Sequence, residues 1–462
     1  METSEMKENQ NKMGVIPIPR LMLNMGLPMM ISMLGQALYN VVDTFFVSRI
    51  PSTGAVTNMG DKAINALTLA YPIQMLIIAI GVGTGVGINA LLSRNLGAGN
   101  REQANKIAGN AICISICYFV VILIFGITGA NAFISSQTQD PIIVQMGITY
   151  LKIVTIFSFG TIGYMCMEKI VMATGNTVAT MIGQLVGAVI NIILDPIMIY
   201  GLLGFPALGV AGAAWATVIG QIASLGVIVF AGTHNNKDVT IGFRYLRPEK
   251  TIIRNIFTIG LPAIIMQILV PLMSYGMNLI LGTISSSAVT AYGIYYKLQN
   301  FIFMPAYGLN NASIPIISFN MGTRSKKRIS DACKYGLYYV SAIMLIGFLV
   351  LQFFAKQIVA VFSIAAESTQ LCVLSLHIIT FGFFFAGINI ILQGVCQALG
   401  KGHYSLIISL LRFIVVALPL AYILSLLPSG NMYVWASIPM AEICACFVAV
   451  VLSKKAYKTC LR

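Results

Sequence analysis

The stretch "LYNVVDTFFV" (residues 38–47) places one acid, Asp43, inside an apolar run that extends from about Leu21 to Ser48. An ionised carboxylate is costly to bury unless it has a partner or a bound ion. The run therefore belongs either to a soluble core that contains a partner for the acid, or to a membrane-spanning helix in which the acid has a function. The composition of the whole chain distinguishes these two readings.

The composition is that of a membrane protein. Of the 462 residues, 58% are hydrophobic and 9% are charged, whereas about 25% of the residues of soluble proteins are charged. Long apolar runs recur along the chain, and the ~10-residue alternating segments of outer-membrane barrels are not found in it. We predict an all-α polytopic membrane protein with twelve transmembrane helices, at 21–48, 63–93, 105–130, 140–167, 177–201, 208–232, 252–282, 286–318, 330–353, 366–397, 403–428 and 431–453.

The distribution of positive charge predicts the orientation in the membrane. Most of the 28 Lys and Arg residues lie at the two ends of the chain and in the even-numbered linkers, to which we assign Lys169 and Lys237. The opposite side carries only Arg49, Lys62 and Lys356. Because positive residues stay in the cytoplasm, we expect both termini to be cytoplasmic and the protein to lie in the cell (inner or plasma) membrane. Topology thus accounts for the net charge of +14, and no nucleic-acid partner is expected.

The two halves of the chain resemble each other. "RNLGAGNREQANK" (94–106) follows the second span and "FNMGTRSKKRISD" (319–331) follows the eighth, and "GLP" opens the first and seventh spans. An even number of spans in each half gives both copies the same orientation, so we predict a parallel repeat of two six-helix bundles. We expect an amino-terminal lobe at 1–232, a cytoplasmic linker at 233–251 and a carboxyl-terminal lobe at 252–462.

Polar residues follow one face of the first span. Gln36, Tyr39, Asn40 and Asp43 are spaced as i, i+3, i+4 and i+7, which places them on the same side of a helix. A polar stripe of this kind faces a cavity or a protein partner rather than lipid, so we expect these side chains to line a substrate cavity.

A second acid lies in the fifth span, in "NIILDPIMIY" (191–200). Asn191 and Asp195 are four residues apart and share a helix face, and Pro196 frees the backbone carbonyl of Ile192. This oxygen-rich group suits a proton or a hard cation. The alternative is a proline kink in which Asp195 has a structural hydrogen bond.

The carboxyl-terminal half contains different charged residues, Lys297, Arg412 and Glu442. Buried charges are normally paired, so we expect an ion pair between Arg412 and Glu442 rather than an ion-coupling site. The role of Lys297 stays open. The chain shows no nucleotide-binding cassette and no catalytic Ser/His or Cys/His set, so we expect neither an enzyme nor a cofactor.

Taken together, these motifs resemble the MATE (multidrug and toxic compound extrusion) transporters, a family of ion-coupled exporters. The resemblance covers nearly the whole chain and includes "YNVVDTFFV", "NLGAGN", "NIILDPIMIY" and "GVAGAAWATVIGQ" (209–221). It implies two lobes that alternate between outward-open and inward-open states.

The resemblance also implies site residues. The amino-lobe cation site of DinF-like members falls on Asp43, Asn191, Asp195 and Thr217, which would bind H+ or Na+, and the bending proline of the first span falls on Pro28. Other members use an acid in the seventh span, which this sequence lacks. The choice between H+ and Na+ stays open.

Three functions fit these observations to different degrees. The first is a monomeric multidrug exporter that exchanges H+ or Na+ for amphipathic or cationic small molecules within the lipid membrane. The second is a flippase for lipid-linked saccharides or peptidoglycan precursors, which would need a cationic cavity. The third is a membrane scaffold or receptor, which would leave the two buried acids, Asp43 and Asp195, without a purpose.

Overall fold

The computed structural model describes residues 11–52, 58–234, 236, 238–362 and 364–460. Lys237, which the topology prediction uses, lies outside the described residues, as do residues 1–10 of the predicted amino-terminal lobe. Within the described ranges the secondary structure is helical, and no strand is present.

The helices follow one another with short connections. The amino-terminal half contains α1 (Lys12–Val15), α2 (Ile18–Ser48), α3 (Met59–Gly97), α4 (Arg101–Thr128), α5 (Ala130–Ser135), α6 (Pro141–Ile156), α7 (Phe159–Ala173), α8 (Thr177–Tyr200) and α9 (Val210–His234). The carboxyl-terminal half contains α10 (Lys250–Gly282), α11 (Ser286–Gly322), α12 (Lys326–Ala360), α13 (Ala366–Ile379), α14 (Phe383–Ala398), α15 (Gly402–Leu410), α16 (Ala417–Ser425), α17 (Gly430–Tyr433) and α18 (Ser437–Cys460).

The predicted fold class, an all-α membrane protein of two helix bundles, is confirmed. Within the described ranges, ten helical spans are long and apolar enough to cross a membrane, and α6 with α7, bent by 44° at their junction, form an eleventh. The remaining predicted span, the eighth (286–318), corresponds to α11, a helix of 37 residues. It carries Lys297, Gln299 and Asn300, and it packs against helices of both lobes.

The internal repeat is visible in matching hydrogen bonds. Ser93 Oγ donates to the Ala173 carbonyl at 3.0 Å in the first half, and Ser318 Oγ donates to the Ala398 carbonyl at 3.1 Å in the second. Ser318 follows Ser93 by 225 residues, and Ala398 follows Ala173 by 225 residues. The same offset separates the similar motifs at 94–106 and 319–331. The two halves therefore join equivalent helices in the same way.

The two lobes meet through glycines. A Cβ on Gly308 of α11 would lie 2.7 Å from Met30 Cα of α2, and one on Gly87 of α3 would clash with the Ile256 carbonyl of α10. Only glycine allows the backbones of these helices to approach so closely. The joint between the lobes is therefore tight along these two helix pairs.

The short helix α1 contacts both lobes at their joined end. Asn11 Nδ2 donates to the Thr174 carbonyl at 2.9 Å and to Asp238 Oδ2 at 2.7 Å, on the amino-lobe side. From the carboxyl lobe, an Arg328 guanidinium nitrogen donates to the Met13 carbonyl at 2.8 Å. Met13 itself is fully buried, so α1 connects the two lobes.

The face of α11 that meets α2 is covered at the joint and exposed beyond it. Phe301 precedes Gly308 by seven residues and so lies about 20° from it around the axis of α11. Phe301 is 44% exposed. The amino lobe therefore covers this face of α11 at Gly308 but not at Phe301.

One charge assignment was wrong. Lys169 was placed in a linker, but it lies within α7, is 5% exposed, and forms an ion pair with Glu168 at 3.2 Å. The helix continues to Ala173, beyond the predicted end of the span. The Lys169 side chain fits there because it passes over Gly85 of α3, which has no side chain of its own.

Candidate functional site

The two acids of the amino lobe lie on neighbouring helices. Asp43 is half-buried on α2, and Asp195 is fully buried on α8. Each carboxylate lies within electrostatic range of the other. Asn191 is 3% exposed, and its Nδ2 lies 3.5 Å from both Asp195 Oδ1 and Thr217 Oγ1. The structure therefore brings together the four residues that the resemblance assigns to the cation site.

Three oxygens of this group have no hydrogen-bond donor among the described residues. They are Asp43 Oδ1, Asn191 Oδ1 and Asp195 Oδ2, and all three atoms are buried. A buried oxygen acceptor without a partner costs free energy, and a bound proton or cation would remove that cost. Carboxylate, amide and hydroxyl oxygens are the ligands that hard cations such as Na+ prefer. The donor set fits H+ and Na+ alike.

Close packing of α8 on α9 shapes this site. A Cβ on Gly220 would lie 2.7 Å from the Gly187 carbonyl and 3.3 Å from Asn191 Cβ. Because neither glycine has a side chain, Thr217 on α9 can reach Asn191 on α8. A larger residue at either position would push the two helices apart and separate these two side chains.

Two tyrosines complete the surroundings of the acids. Tyr39 lines a narrow cleft together with Asn191 and Thr217. Tyr150 on α6 accepts a hydrogen bond from Gln74 Nε2 at 2.9 Å, and both tyrosines lie within electrostatic range of the two carboxylates. Sequence reasoning missed Tyr150 and Gln74, because uncharged polar residues in separate spans give no signal of their proximity.

The other residues of the predicted stripe are placed differently. Gln36 is half-buried and Asn40 is exposed on α2, and neither lines the cleft that contains Tyr39. Pro28 is buried within α2, on the part of the helix that packs against the carboxyl lobe. Thus only one of the three predicted cavity residues reaches the cation group.

The carboxyl lobe contains the ion pair predicted from the sequence. Arg412 Nε donates to Glu442 Oε1 at 2.5 Å, and Asn389 Nδ2 donates to Glu442 Oε2 at 2.8 Å. The side chains of Arg412 and Glu442 are 3% and 8% exposed. Arg412 lies in a π-helical turn, Leu411–Val415, that interrupts the span. The sequence indicated neither this turn nor the contribution of Asn389.

A polar cavity adjoins this ion pair. The space open to the centres of water molecules is about 40 Å³, and about 10–15 Å³ is enough to admit one water. Aromatic rings and amides line it around the two charged groups: Tyr292, Tyr295, Tyr296, Gln299, Asn300, Phe303, Tyr307 and Phe413. Since Arg412 and Glu442 neutralise each other, the described residues that line the cavity carry no unpaired charge.

Comparison with known proteins identifies the family. The model of the MatE family matches residues 28–197 and 262–423. The multidrug export protein MepA of Staphylococcus haemolyticus is 27% identical over 92% of this chain and 91% of its own. MepA of Staphylococcus aureus (strain MRSA252) is 24% identical over 93% of this chain and 92% of its own.

The fold agrees with this match. A solved multidrug resistance MATE family transporter of the MOP superfamily, in its outward-facing conformation, superposes with a TM-score of 0.90. It is 23% identical, and the alignment covers 98% of each chain. The chain belongs to the MatE family and is a multi-pass membrane transporter rather than an enzyme.

Proposed function

We propose that this protein is a secondary active exporter that exchanges H+ or Na+ for amphipathic organic cations across the cell membrane. The observation that carries the proposal is the group of buried oxygens on Asp43, Asn191 and Asp195 that receive no hydrogen bond from any described residue. The names of the MepA relatives, multidrug export proteins, support the choice of substrate class. We further propose that the transporter acts as a monomer with both termini in the cytoplasm.

Coupling follows from competition for the two carboxylates. A proton or Na+ on Asp43 and Asp195 removes the repulsion between them and cancels the charge that attracts a cationic substrate. Ion and substrate therefore exclude each other, so entry of the ion on the outside releases the substrate there. Loss of the ion to the cytoplasm restores the charge, and a new substrate can bind.

The first membrane span, α2, converts this charge change into movement. Pro28 lacks a backbone N–H, which weakens the helical ladder around it. With Asp43 neutral, α2 can bend at Pro28 and close the space that the substrate occupied. Asp43 and Pro28 lie on the same helix, so the site and the bend are directly connected.

The test measures ethidium efflux from reconstituted vesicles under an imposed H+ gradient or an imposed Na+ gradient. Asp43→Asn and Asp195→Asn should reach the membrane in normal amounts and lose gradient-driven efflux. The double variant should be little worse than either single variant, since the two residues act as a unit. Asp61→Asn, at an exposed acid in the first turn of α3, is the matched control and should transport normally.

Two results would contradict the proposal. Wild-type efflux by a well-expressed Asp43→Asn variant would exclude this carboxylate from coupling. Movement of lipid-linked glycans without movement of ethidium would favour the flippase. Whichever of the two gradients drives efflux in the wild-type protein identifies the coupling ion.

A further inference from the structure

The ion pair between Glu168 and Lys169 is buried inside the amino lobe, and the export cycle described above does not use it. Its two charged groups lie 3.2 Å apart, and the side chains are 9% and 6% exposed, respectively. Taking two charges out of water is costly, and an apolar pair of similar size is often at least as stable. Stability alone therefore does not account for the pair.

The carboxyl lobe has no ion pair at the equivalent positions. The repeat offset of 225 residues places Gln393 and Gly394 there. The same offset places Leu420 at the position of Asp195. One lobe thus combines the proposed coupling acid with the buried pair, and the other has neither at the matching sites. The bundle can fold without the pair, which connects the pair to ion coupling.

Glu168 projects into the interior of the amino lobe. Its neighbours on α7 fix the directions around that helix. A Cβ on Gly183 of α8 would lie 3.4 Å from the Tyr164 ring, so Tyr164 faces α8. Lys169 passes over Gly85 and so faces α3. Glu168 lies between them, about 40° from Tyr164 and about 100° from Lys169 around the axis, and it points between α8 and α3.

A row of buried polar side chains on α8, here called the α8 stripe, leads from the acid site toward this level. Its members lie within about 60° of one another around the helix axis, and none is more than 8% exposed: Asp195, Asn191, Gln184, Thr180 and Thr177. The narrow cleft that Tyr39 lines runs along the stripe from Asn191 to Gln184. The space open to water centres in it is about 10 Å³, close to what one water molecule needs.

Tyr164 connects the α8 stripe to Glu168. Its hydroxyl donates to the Thr180 carbonyl at 3.5 Å, and it lies within electrostatic range of both Tyr39 and Glu168. At the end of the stripe, Thr177 Oγ1 is buried and has no hydrogen-bond partner among the described residues. Polar groups therefore continue from the acid site to the level of Glu168.

Glu168 lies near the end of the lobe that α1 contacts. It precedes Thr174 by six residues, about 9 Å along the chain of the helix, and the Thr174 carbonyl accepts the hydrogen bond from Asn11. Asp195, in contrast, lies about 27 Å along α8 from Thr177, which is at this same end. Our proposed topology places this end in the cytoplasm.

We propose that the coupling ion leaves Asp43 and Asp195 through the interior of the amino lobe, along the α8 stripe, and that Glu168 receives it before it enters the cytoplasm. This inference rests on the proposed antiport function and adds the exit path of its ion. While the path is empty, Lys169 neutralises Glu168. An H+ or Na+ that reaches a Glu168 oxygen is repelled by the ammonium group. It therefore leaves for the cytoplasmic water, and the ion pair is restored.

The test separates ion release from substrate movement in the reconstituted vesicles. Glu168→Gln combined with Lys169→Met removes both charges, so neither is left buried without its partner. Gradient-driven ethidium efflux should fall about tenfold, since the departing ion loses a charged partner on its path. Exchange of labelled for unlabelled ethidium without a gradient should keep the wild-type rate, because that exchange releases no ion. Gln184→Leu, which interrupts the α8 stripe halfway, should show the same difference.

A second ion pair provides the matched control. Lys106→Met with Glu249→Gln removes a pair at 3.2 Å whose side chains are 36% and 41% exposed, and it should change neither rate. Equal loss of efflux and exchange in the Glu168 and Lys169 double variant would show a structural role and overturn the inference.

Two further outcomes are decisive. Wild-type efflux in that double variant or in Gln184→Leu would exclude the exit path, and Gln184→Leu decides alone if the double variant does not reach the membrane. A wild-type protein without gradient-driven efflux would refute the proposed function itself, and the exit path with it.

Discussion

Removal of one partner of the Arg412–Glu442 pair should destabilise the carboxyl lobe strongly. In Arg412→Ala, the Glu442 carboxylate keeps its hydrogen bond from Asn389 but loses the one ion-pair partner that it has among the described residues, and its side chain is 8% exposed. Leaving one charge of a buried pair without its partner costs about 3–5 kcal/mol. Replacing both charges, as in Arg412→Met with Glu442→Gln, removes the unpaired charge and keeps an acceptor for Asn389. The double variant should therefore recover most of the loss.

The free energy of unfolding can be measured by SDS titration of the detergent-solubilised protein. Ethidium efflux, measured in parallel on variants that fold, should keep its dependence on the ion gradient in the double variant. A double variant as unstable as Arg412→Ala would refute the account of the pair as mutually neutralising. If a folded double variant lost its dependence on the ion gradient, ion coupling would reside in the carboxyl lobe, and our assignment to the amino lobe would be wrong.

Three further predictions concern topology, the joint between the lobes and pH. Cys introduced at Lys237 should react with membrane-impermeant reagents in inside-out vesicles and not in intact cells, with the unsubstituted chain as background. Gly308→Leu should abolish efflux because its side chain would collide with the α2 backbone, whereas Gly293→Leu on the same helix meets open space and should transport normally. The hydrogen bond from Lys62 lowers the pKa of Asp140 below its ordinary 3.8. Its stabilising contribution is therefore present at neutral pH and is lost as the pH falls through the folded-state pKa, and Lys62→Met should reduce this acid sensitivity in unfolding titrations.

The spans could be predicted because a membrane imposes a minimum apolar length on each helix. Their ends could not, since helices continue past the apolar region. The span predicted at 330–353, for example, is the helix Lys326–Ala360. The break between α6 and α7 also gave no signal, because it falls at Phe157 and Ser158 without a proline.

The acids of the site could be predicted for a different reason. An ionisable residue inside an apolar span is costly, so Asp43, Asp195 and Glu442 stand out in the sequence. Neutral partners such as Tyr150 and Asn389 carry no comparable cost, and they contribute only once the packing of separate helices brings them to the charges. Sequence reasoning therefore finds the centre of a buried polar site more readily than its periphery.

The small helix α1 has a consequence for how the protein is handled. If the lobes part at their joined end, as the proposed cycle requires, α1 cannot keep its bonds to both of them. Either Asn11 releases Thr174 and Asp238, or Arg328 releases the carbonyl of Met13. In that cycle, one of these two sets of hydrogen bonds must break once per turnover. A bulky fusion placed directly before Asn11 would change the rate of that step. Affinity tags for kinetic work are better attached elsewhere on the chain.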